Sequence, residues 1–109
     1  MKDRYKTVKN TASAEIVEKR SRFIASVKPV ESEQEAVEFI NELRKKYWDA
    51  SHNVYAYILE DNGVMRYSDD GEPSGTAGMP VLDMLKKEGI TNTVVVVTRY
   101  FGGILLGTG

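Results

Sequence analysis

The apolar positions at the start of the chain indicate strands. Residues 5–9 and 14–18 alternate weakly between apolar and polar side chains, which is the period of a half-buried strand. Residues 23–27 include Phe, Ile and Val, residue types that favour strands. Two or three strands are therefore predicted before Pro29.

The next periodic segment indicates an amphipathic helix over about 33–47. Ser32 and Glu35 have the spacing of a capping box, in which side chains bond the free backbone N–H groups at the start of a helix. Apolar residues then recur every three or four positions, which places them on one helical face. The predicted inward face carries Ala36, Phe39, Ile40, Leu43 and Tyr47.

Two runs of strand formers, 52–60 and 64–69, flank an Asn-Gly pair at 62–63, a strong hairpin signal because both residues accept positive φ. A two-residue loop there places Ile58 opposite Tyr67. One face of the hairpin is predicted to be core: Val54, Ala56, Ile58, Met65 and Tyr67. The other face is too apolar for a plain solvated surface, so something is expected to cover or bind it. It carries Tyr55, Tyr57, Leu59, Val64 and Arg66.

A second helix is predicted from about residue 79 to Gly89, because Pro80 suits a first helical turn and glycine suits the position after the last. Leu82 and Leu85 would face inward. Four consecutive valines at 94–97 predict a central strand, buried on both faces. This order of elements predicts an α+β domain in two layers, with a mixed or antiparallel sheet and the helices on one face.

Composition narrows the function classes. The chain has 109 residues, 41% of them hydrophobic, which is typical of one domain over 1–109. Fifteen Lys and Arg against sixteen Asp and Glu give a net charge of −1, so any polyanion partner needs a local basic patch. The absence of cysteine excludes disulfides and thiol chemistry. No apolar run approaches the ~20 residues that cross a bilayer, and a cytoplasmic protein is expected.

The densest candidate for chemistry is the glycine-rich loop at 69–78. Its backbone N–H groups at 75–78, with the following helix start, are suited to a phosphate, and its carboxylates to a magnesium ion bridging that phosphate. The alternative is that the carboxylates cap turns and the helix, which the residues alone favour. The candidate residues are Asp69, Asp70, Gly71, Glu72, Ser74, Gly75, Thr76 and Gly78, joined by Gly102 and Gly103 after the last strand.

Basic residues supply the second candidate surface. Arg99 follows the valine strand and is suited either to a phosphate or to an ion pair with Asp69 or Asp70. Helix dipoles explain the clusters at 44–46 and 86–87, but not the one at 19–22. The predicted phosphate-contacting set is Lys19, Arg20, Arg22 and Arg99, with Tyr55, Tyr57 and Arg66 on an open sheet face. His52 is the only histidine, and no catalytic residue, metal ligand or cofactor is assigned.

Three separated motifs resemble the Impact/YigZ family. They are K-R-S-R-F-I-A at 19–25, S-D-D-G-E-P-S-G-T-A-G-M-P at 68–80, and T-R-Y-F-G-G-I-L-L-G-T-G at 98–109. Together they cover most of residues 17–109. The resemblance implies a fold similar to the second domain of small-subunit ribosomal protein S-five. In bacterial relatives a ferredoxin-like domain follows, and the apolar triplet at 104–106 accordingly reads as an interrupted sequence.

The resemblance implies a non-enzymatic, translation-related binding module whose partner is RNA, the ribosome or a translation factor. The oligomeric state is not assigned. Two alternatives remain open. One is a magnesium-dependent binder of phosphate ligands, or a small-molecule enzyme, that uses the glycine-rich loop. The other is a protein-interaction domain that docks through the face of Tyr55 and Tyr57.

Overall fold

The computed structural model describes residues 9–61 and 63–101. In these ranges the chain forms, in order, β1 (Ala12–Glu18), β2 (Ser21–Pro29), α1 (Glu33–Lys46), β3 (His52–Leu59), β4 (Val64–Ser68), α2 (Gly78–Lys87) and β5 (Thr93–Tyr100). The predictions for residues 5–8, Asn62 and 102–109 lie outside the described residues. Neither described helix has the length and apolar character needed to span a membrane.

The strands form one antiparallel sheet in the order β1-β2-β5-β3-β4. Strand β5 therefore lies in the middle, between β2 and β3. Val94 and Val96 are fully buried on one face of the sheet, and Val95 is buried on the other. The α+β class, the antiparallel pairing and the central valine strand are confirmed.

Helix α1 begins as the sequence predicts and covers one face of the sheet. The Ser32 hydroxyl accepts a hydrogen bond from the Glu35 N–H, and the Glu35 carboxylate accepts one from the Glu31 N–H. These bonds satisfy backbone donors that a helix start leaves free. The apolar side of α1 packs on alternate residues of β3 and β5, namely Tyr57, Leu59, Val94 and Val96.

Helix α2 lies on the opposite face, which corrects the predicted two-layer arrangement with both helices on one face. Leu82 and Leu85 are buried as predicted, but they pack on Ala56 and Val95, whose side chains point away from α1. Successive side chains of a strand point to opposite faces, so α1 and α2 enclose the sheet between them. The long apolar runs of β3 and β5 are therefore covered on both sides.

The hairpin of β3 and β4 has the predicted faces but a longer turn. Ile58 lies opposite Met65, not opposite Tyr67. Four residues connect the strands, and the Gly63 N–H bonds the Glu60 carbonyl oxygen. This register differs from the predicted one by two residues, which preserves the face of every side chain. Met65 and Tyr67 are exposed, not core, because β4 is an edge strand.

Strands β1 and β2 form the other edge of the sheet. The two-residue turn between them is Lys19-Arg20, and both residues have positive φ, at 50° and 71°. A type I′ turn requires this conformation, which Asn-Gly normally supplies. Every residue of β1 is exposed, including Ile16 and Val17.

The packing of α2 predicts a large effect of truncation at its buried face. Leu85→Ala is expected to lower the free energy of unfolding by about 2–5 kcal/mol, because it leaves a cavity between α2 and the sheet. The exposed neighbour offers a matched control, since Met84→Ala is expected to stay within about 0.5 kcal/mol of the parent. Urea unfolding of both variants measures the difference, and equal losses would contradict the assigned face of α2.

Candidate functional site

The sheet brings the described parts of the three sequence motifs together at one end, where β3 begins and where β4 and β5 finish. Arg99 lies opposite Phe23 on one side and opposite His52 on the other, and Ser68 pairs with Tyr55 close by. The turn before β2, the loop at 69–78 and the last residues of β5 therefore meet. We call this region the loop end.

Asp69 fixes the glycine-rich loop to the start of α2. Its Oδ1 accepts hydrogen bonds from the N–H groups of Ala77, at 3.1 Å, and Gly78, at 2.7 Å, and its Oδ2 accepts one from Gly75, at 2.8 Å. These backbone hydrogen bonds lower the pKa of Asp69. A phosphate bound at these N–H groups would have to displace the carboxylate.

Close packing explains the glycine at the start of α2. A Cβ on Gly78 would lie 2.6 Å from the carbonyl oxygen of Ser68, which is closer than atoms approach in real structures. The helix start is therefore pressed against the end of β4. In the described part of the chain, no group of three or more His, Asp or Glu side chains is arranged to hold a metal ion.

Asp70 connects the same loop to β3 and α1. Its carboxylate accepts a hydrogen bond from the Asn53 N–H at 2.6 Å and pairs with Arg44 at 2.9 Å. The His52 Nδ1 lies 2.7 Å from the Asp70 carbonyl oxygen, which can only accept, so Nδ1 carries the proton. The single histidine is thus part of the loop's support.

Arg99 pairs with Glu72, which corrects the predicted pairing with Asp69 or Asp70. Its Nη1 lies 2.9 Å and 3.0 Å from the two carboxylate oxygens of Glu72. The guanidinium also lies over the rings of Phe23 and Phe101, at 5.8 Å and 4.9 Å from their centroids. The ion pair connects β5 to the glycine-rich loop, and a groove of about 410 Å³ lies beside it.

The remaining loop residues mostly shape the backbone. The Thr76 hydroxyl and N–H both bond the Pro73 carbonyl oxygen, and the Glu72 N–H bonds the carbonyl oxygen of Asp69. Gly71 has a φ of +91° and lies against the His52 ring, while Ser74 is exposed. The predicted residues Gly102 and Gly103 lie outside the described residues.

The basic residues of the first hairpin lie at the loop end as well. Lys19 and Arg20 are exposed at the turn. Arg22 pairs with Glu15, which raises the pKa of the guanidinium, and lies 5.3 Å from the centroid of the Tyr100 ring. Burial and the hydrogen bond to Asp49 raise the pKa of Tyr100 to about 12. Arg22 is therefore held against the end of β5.

The predicted open face of Tyr55, Tyr57 and Arg66 is only partly open, which corrects the prediction: Tyr57 is buried, Tyr55 is half-buried and Arg66 is exposed. Tyr57 is 4% exposed beneath α1, and its hydroxyl donates to Glu33 at 2.6 Å. Arg66 lies beside the same carboxylate, 3.7 Å from it. Helix α1 covers this apolar face at Tyr57 and leaves Arg66 exposed beside the helix.

The sequence reasoning missed Trp48, the most exposed of the large apolar side chains described, at 80%. It follows the end of α1 in a turn that packs against the end of β5. The available signal was its position directly after Tyr47, the last inward position of the predicted helix, where no inward position remains for an indole. Trp48 adds an aromatic surface to the loop end.

The capping role of Asp69 predicts a pH-dependent stability. A pKa that is lower in the folded state contributes stability above the unfolded value, near 4, and this contribution is lost as the pH falls through the folded value. Asp69→Asn is therefore expected to unfold at lower urea than the parent at about pH 7, and to lose less stability between about pH 5 and pH 3.

Asp83→Asn is the matched control for this experiment, because Asp83 is exposed on α2, the helix that Asp69 caps. It is expected to follow the pH profile of the parent protein. A profile for Asp69→Asn that runs parallel to that of the parent would show that ionisation of Asp69 is not linked to stability, contrary to the prediction.

Comparison with known proteins gives a consistent result at the level of the family. The model of the Impact N-terminal domain matches residues 19–109. The IMPACT family member YvyE of Bacillus subtilis is 52% identical over 106 residues, which is 96% of this chain and 49% of the relative. The IMPACT family member YigZ of Escherichia coli is 42% identical over 94 residues, covering 84% of this chain and 46% of the relative.

Two solved structures share the fold. A hypothetical protein known from a crystal structure superposes with a TM-score of 0.81 at 38% identity, over 92% of this chain and 50% of that chain. The two-domain translational regulator Yih1 superposes with a TM-score of 0.67 at 26% identity, over 88% and 39%. The chain thus spans about half the length of the curated relatives it matches. On the match to the family model and to these relatives, the chain belongs to the Impact family.

Proposed function

We propose that this chain is a non-enzymatic module that acts in the regulation of translation by binding RNA, free or in the ribosome, in the cytoplasm. The family membership and the likeness to a structure named a translational regulator support the translational role. The loop end supports RNA as the partner, because it exposes cations on a fixed backbone.

The observation that carries the proposal is the turn of Lys19 and Arg20. Both side chains are exposed at the tip of an edge hairpin, and Arg22 follows on the next strand. Lys and Arg side chains bind phosphates by charge, and Arg adds directed hydrogen bonds. Three cations within four residues therefore make a local phosphate-binding surface on a chain whose net charge is −1.

The backbone conformation of this turn strengthens the argument. Two consecutive residues that are not glycine have positive φ, which costs about 1 kcal/mol for each residue. Asn-Gly would form the same turn without this cost. Residues in strained backbone conformations are concentrated at functional sites, and here the two strained residues are cationic.

The occupied loop favours side chains over backbone as the phosphate ligands. The N–H groups at the start of α2 already bond Asp69, and the Arg99 guanidinium already pairs with Glu72. The proposal therefore assigns phosphate contacts to Lys19, Arg20 and Arg22, and a supporting role to Arg99. Arg22 is also paired, with Glu15, but that pair lies at the surface, where a phosphate can exchange with the carboxylate, whereas Glu72 in the Arg99 pair is largely buried.

The experiment compares the protein with the double variant Lys19→Asn, Arg20→Gly in ribosome co-sedimentation across a salt series. The variant loses two cations but gains the residues that a type I′ turn prefers, so it is expected to be no less stable than the parent. Its association with ribosomes is expected to weaken. With single-stranded RNA, the slope of log affinity against log salt is expected to fall by about 1.4, which is 0.7 for each cation removed.

The control variant Lys86→Gln, Lys87→Gln removes the same charge from the last turn of α2, at the other end of the sheet. It is expected to bind as the parent does. Equal losses in the two double variants would indicate non-specific attraction and contradict the proposal. Association that survives complete nuclease digestion would identify a protein partner instead.

A further inference from the structure

We infer that Trp48 is a base-stacking residue, so that the RNA recognised at the loop end is single-stranded. This inference rests on the proposed RNA-binding function and extends it from the phosphates to the bases. It assigns a chemical role to the indole, which none of the sequence motifs includes.

The indole is placed where a ligand can reach it. Trp48 is 80% exposed, although burial of an aromatic side chain of this size normally contributes substantially to folding. Two aromatic residues follow α1. Tyr47 packs partly against the core and against the Tyr100 ring, while Trp48 does not join either hydrophobic cluster among the described residues. The Tyr47 ring therefore contributes to the packing of the fold, whereas the Trp48 ring is accessible to a ligand.

The backbone that carries Trp48 is held on both sides. Before it, the Tyr47 N–H bonds the carbonyl oxygen of Leu43 at 2.8 Å, as the last bond of α1. After it, the Ala50 N–H bonds the Tyr47 carbonyl oxygen at 3.1 Å. The Asp49 carboxylate also accepts a hydrogen bond from the Tyr100 hydroxyl at 2.8 Å. Because the backbone is already fixed, only the side-chain torsions of Trp48 are left to be ordered when a ligand binds, which favours affinity.

The turn is anchored to the end of β5 as well. The Ser51 N–H bonds the Arg99 carbonyl oxygen, and the Phe101 N–H bonds the Ser51 hydroxyl, both at 2.9 Å. The turn that bears Trp48 and the strand end that supports Arg22 thus belong to one rigid unit.

Charge complementarity identifies the partner. Lys45 and Lys46 directly precede the aromatic pair, and the Lys46 ammonium lies 5.3 Å from the centroid of the Tyr47 ring. Arg22, on β2, lies over the Tyr100 ring, which in turn contacts the Tyr47 ring edge-on. Trp48 is thus an exposed ring on a segment that also carries cations. Proteins that bind single-stranded nucleic acid combine such rings, on which the bases stack, with cations that hold the phosphates.

The stacking site discriminates between forms of RNA. In a duplex the bases are already stacked on one another and paired, so an indole outside the helix cannot reach their faces. Unpaired bases in loops or at ends have free faces. The inference therefore predicts a preference for single strands that phosphate contacts alone would not produce.

The test uses an oligouridine of about 12 nucleotides, labelled with fluorescein, and the same strand paired with oligoadenosine. Trp48 is the only tryptophan of the chain, so quenching of the protein's tryptophan emission reports contact at this residue. Trp48→Ala is expected to weaken binding of the single strand about tenfold, measured by anisotropy, and to leave duplex binding unchanged. Trp48→Phe is expected to retain most of the affinity, because the ring is kept.

The salt series separates stacking from charge. Trp48→Ala removes no cation, so the slope of log affinity against log salt is expected to stay at the value of the parent, whereas Lys19→Asn, Arg20→Gly lowers it. A merely structural role of the indole would change the thermal midpoint, which is expected to stay unchanged for this exposed residue.

The outcomes distinguish this inference from the proposed function. Unchanged binding by Trp48→Ala, together with a loss in the Lys19 and Arg20 variant, would overturn base stacking and leave the RNA-binding function in place. Equal affinity for the single strand and the duplex, without quenching, would do the same. Absence of binding to either RNA and to ribosomes at every salt concentration would overturn both.

Discussion

Strand β5 lies between β2 and β3, and its valines are buried on both faces, so each half of the molecule is held through this one strand. Helix α1 packs on one set of its side chains and α2 on the alternate set. The same strand then delivers Arg99 and Tyr100 to the loop end. One strand therefore supplies both the buried valines of the core and the polar contacts at the loop end.

The acidic residues of the glycine-rich loop each hold a different part of the structure. Asp69 caps α2, Asp70 connects to β3 and Arg44, and Glu72 pairs with Arg99. Three carboxylates so close together would repel one another without such partners. Their contacts to three separate elements explain how a loop rich in glycine adopts one conformation.

Short-range sequence signals were sufficient to predict much of the fold. The capping residues Ser32 and Glu35 marked the start of α1, and the unbroken valine run marked the central strand. The choice of face for each helix was not predictable, because it depends on which side of the sheet a connection crosses. The pairing of Arg99 with Glu72 was also not predictable from the sequence. The three carboxylates at 69, 70 and 72 lie in one loop, and only their positions in space show which of them Arg99 reaches. Trp48 was missed because it belongs to no motif.

The strand order also has a consequence for the biosynthesis of the protein. The central strand is the last of the described strands to leave the ribosome, whereas the strands on either side of it are made first. Until β5 emerges, the two hairpins have no partner that joins them, and the inner edges of β2 and β3 keep free N–H and C=O groups available to other chains. Because domains generally fold as units during synthesis, the sheet is expected to close only once the valine strand is available to pair with both β2 and β3.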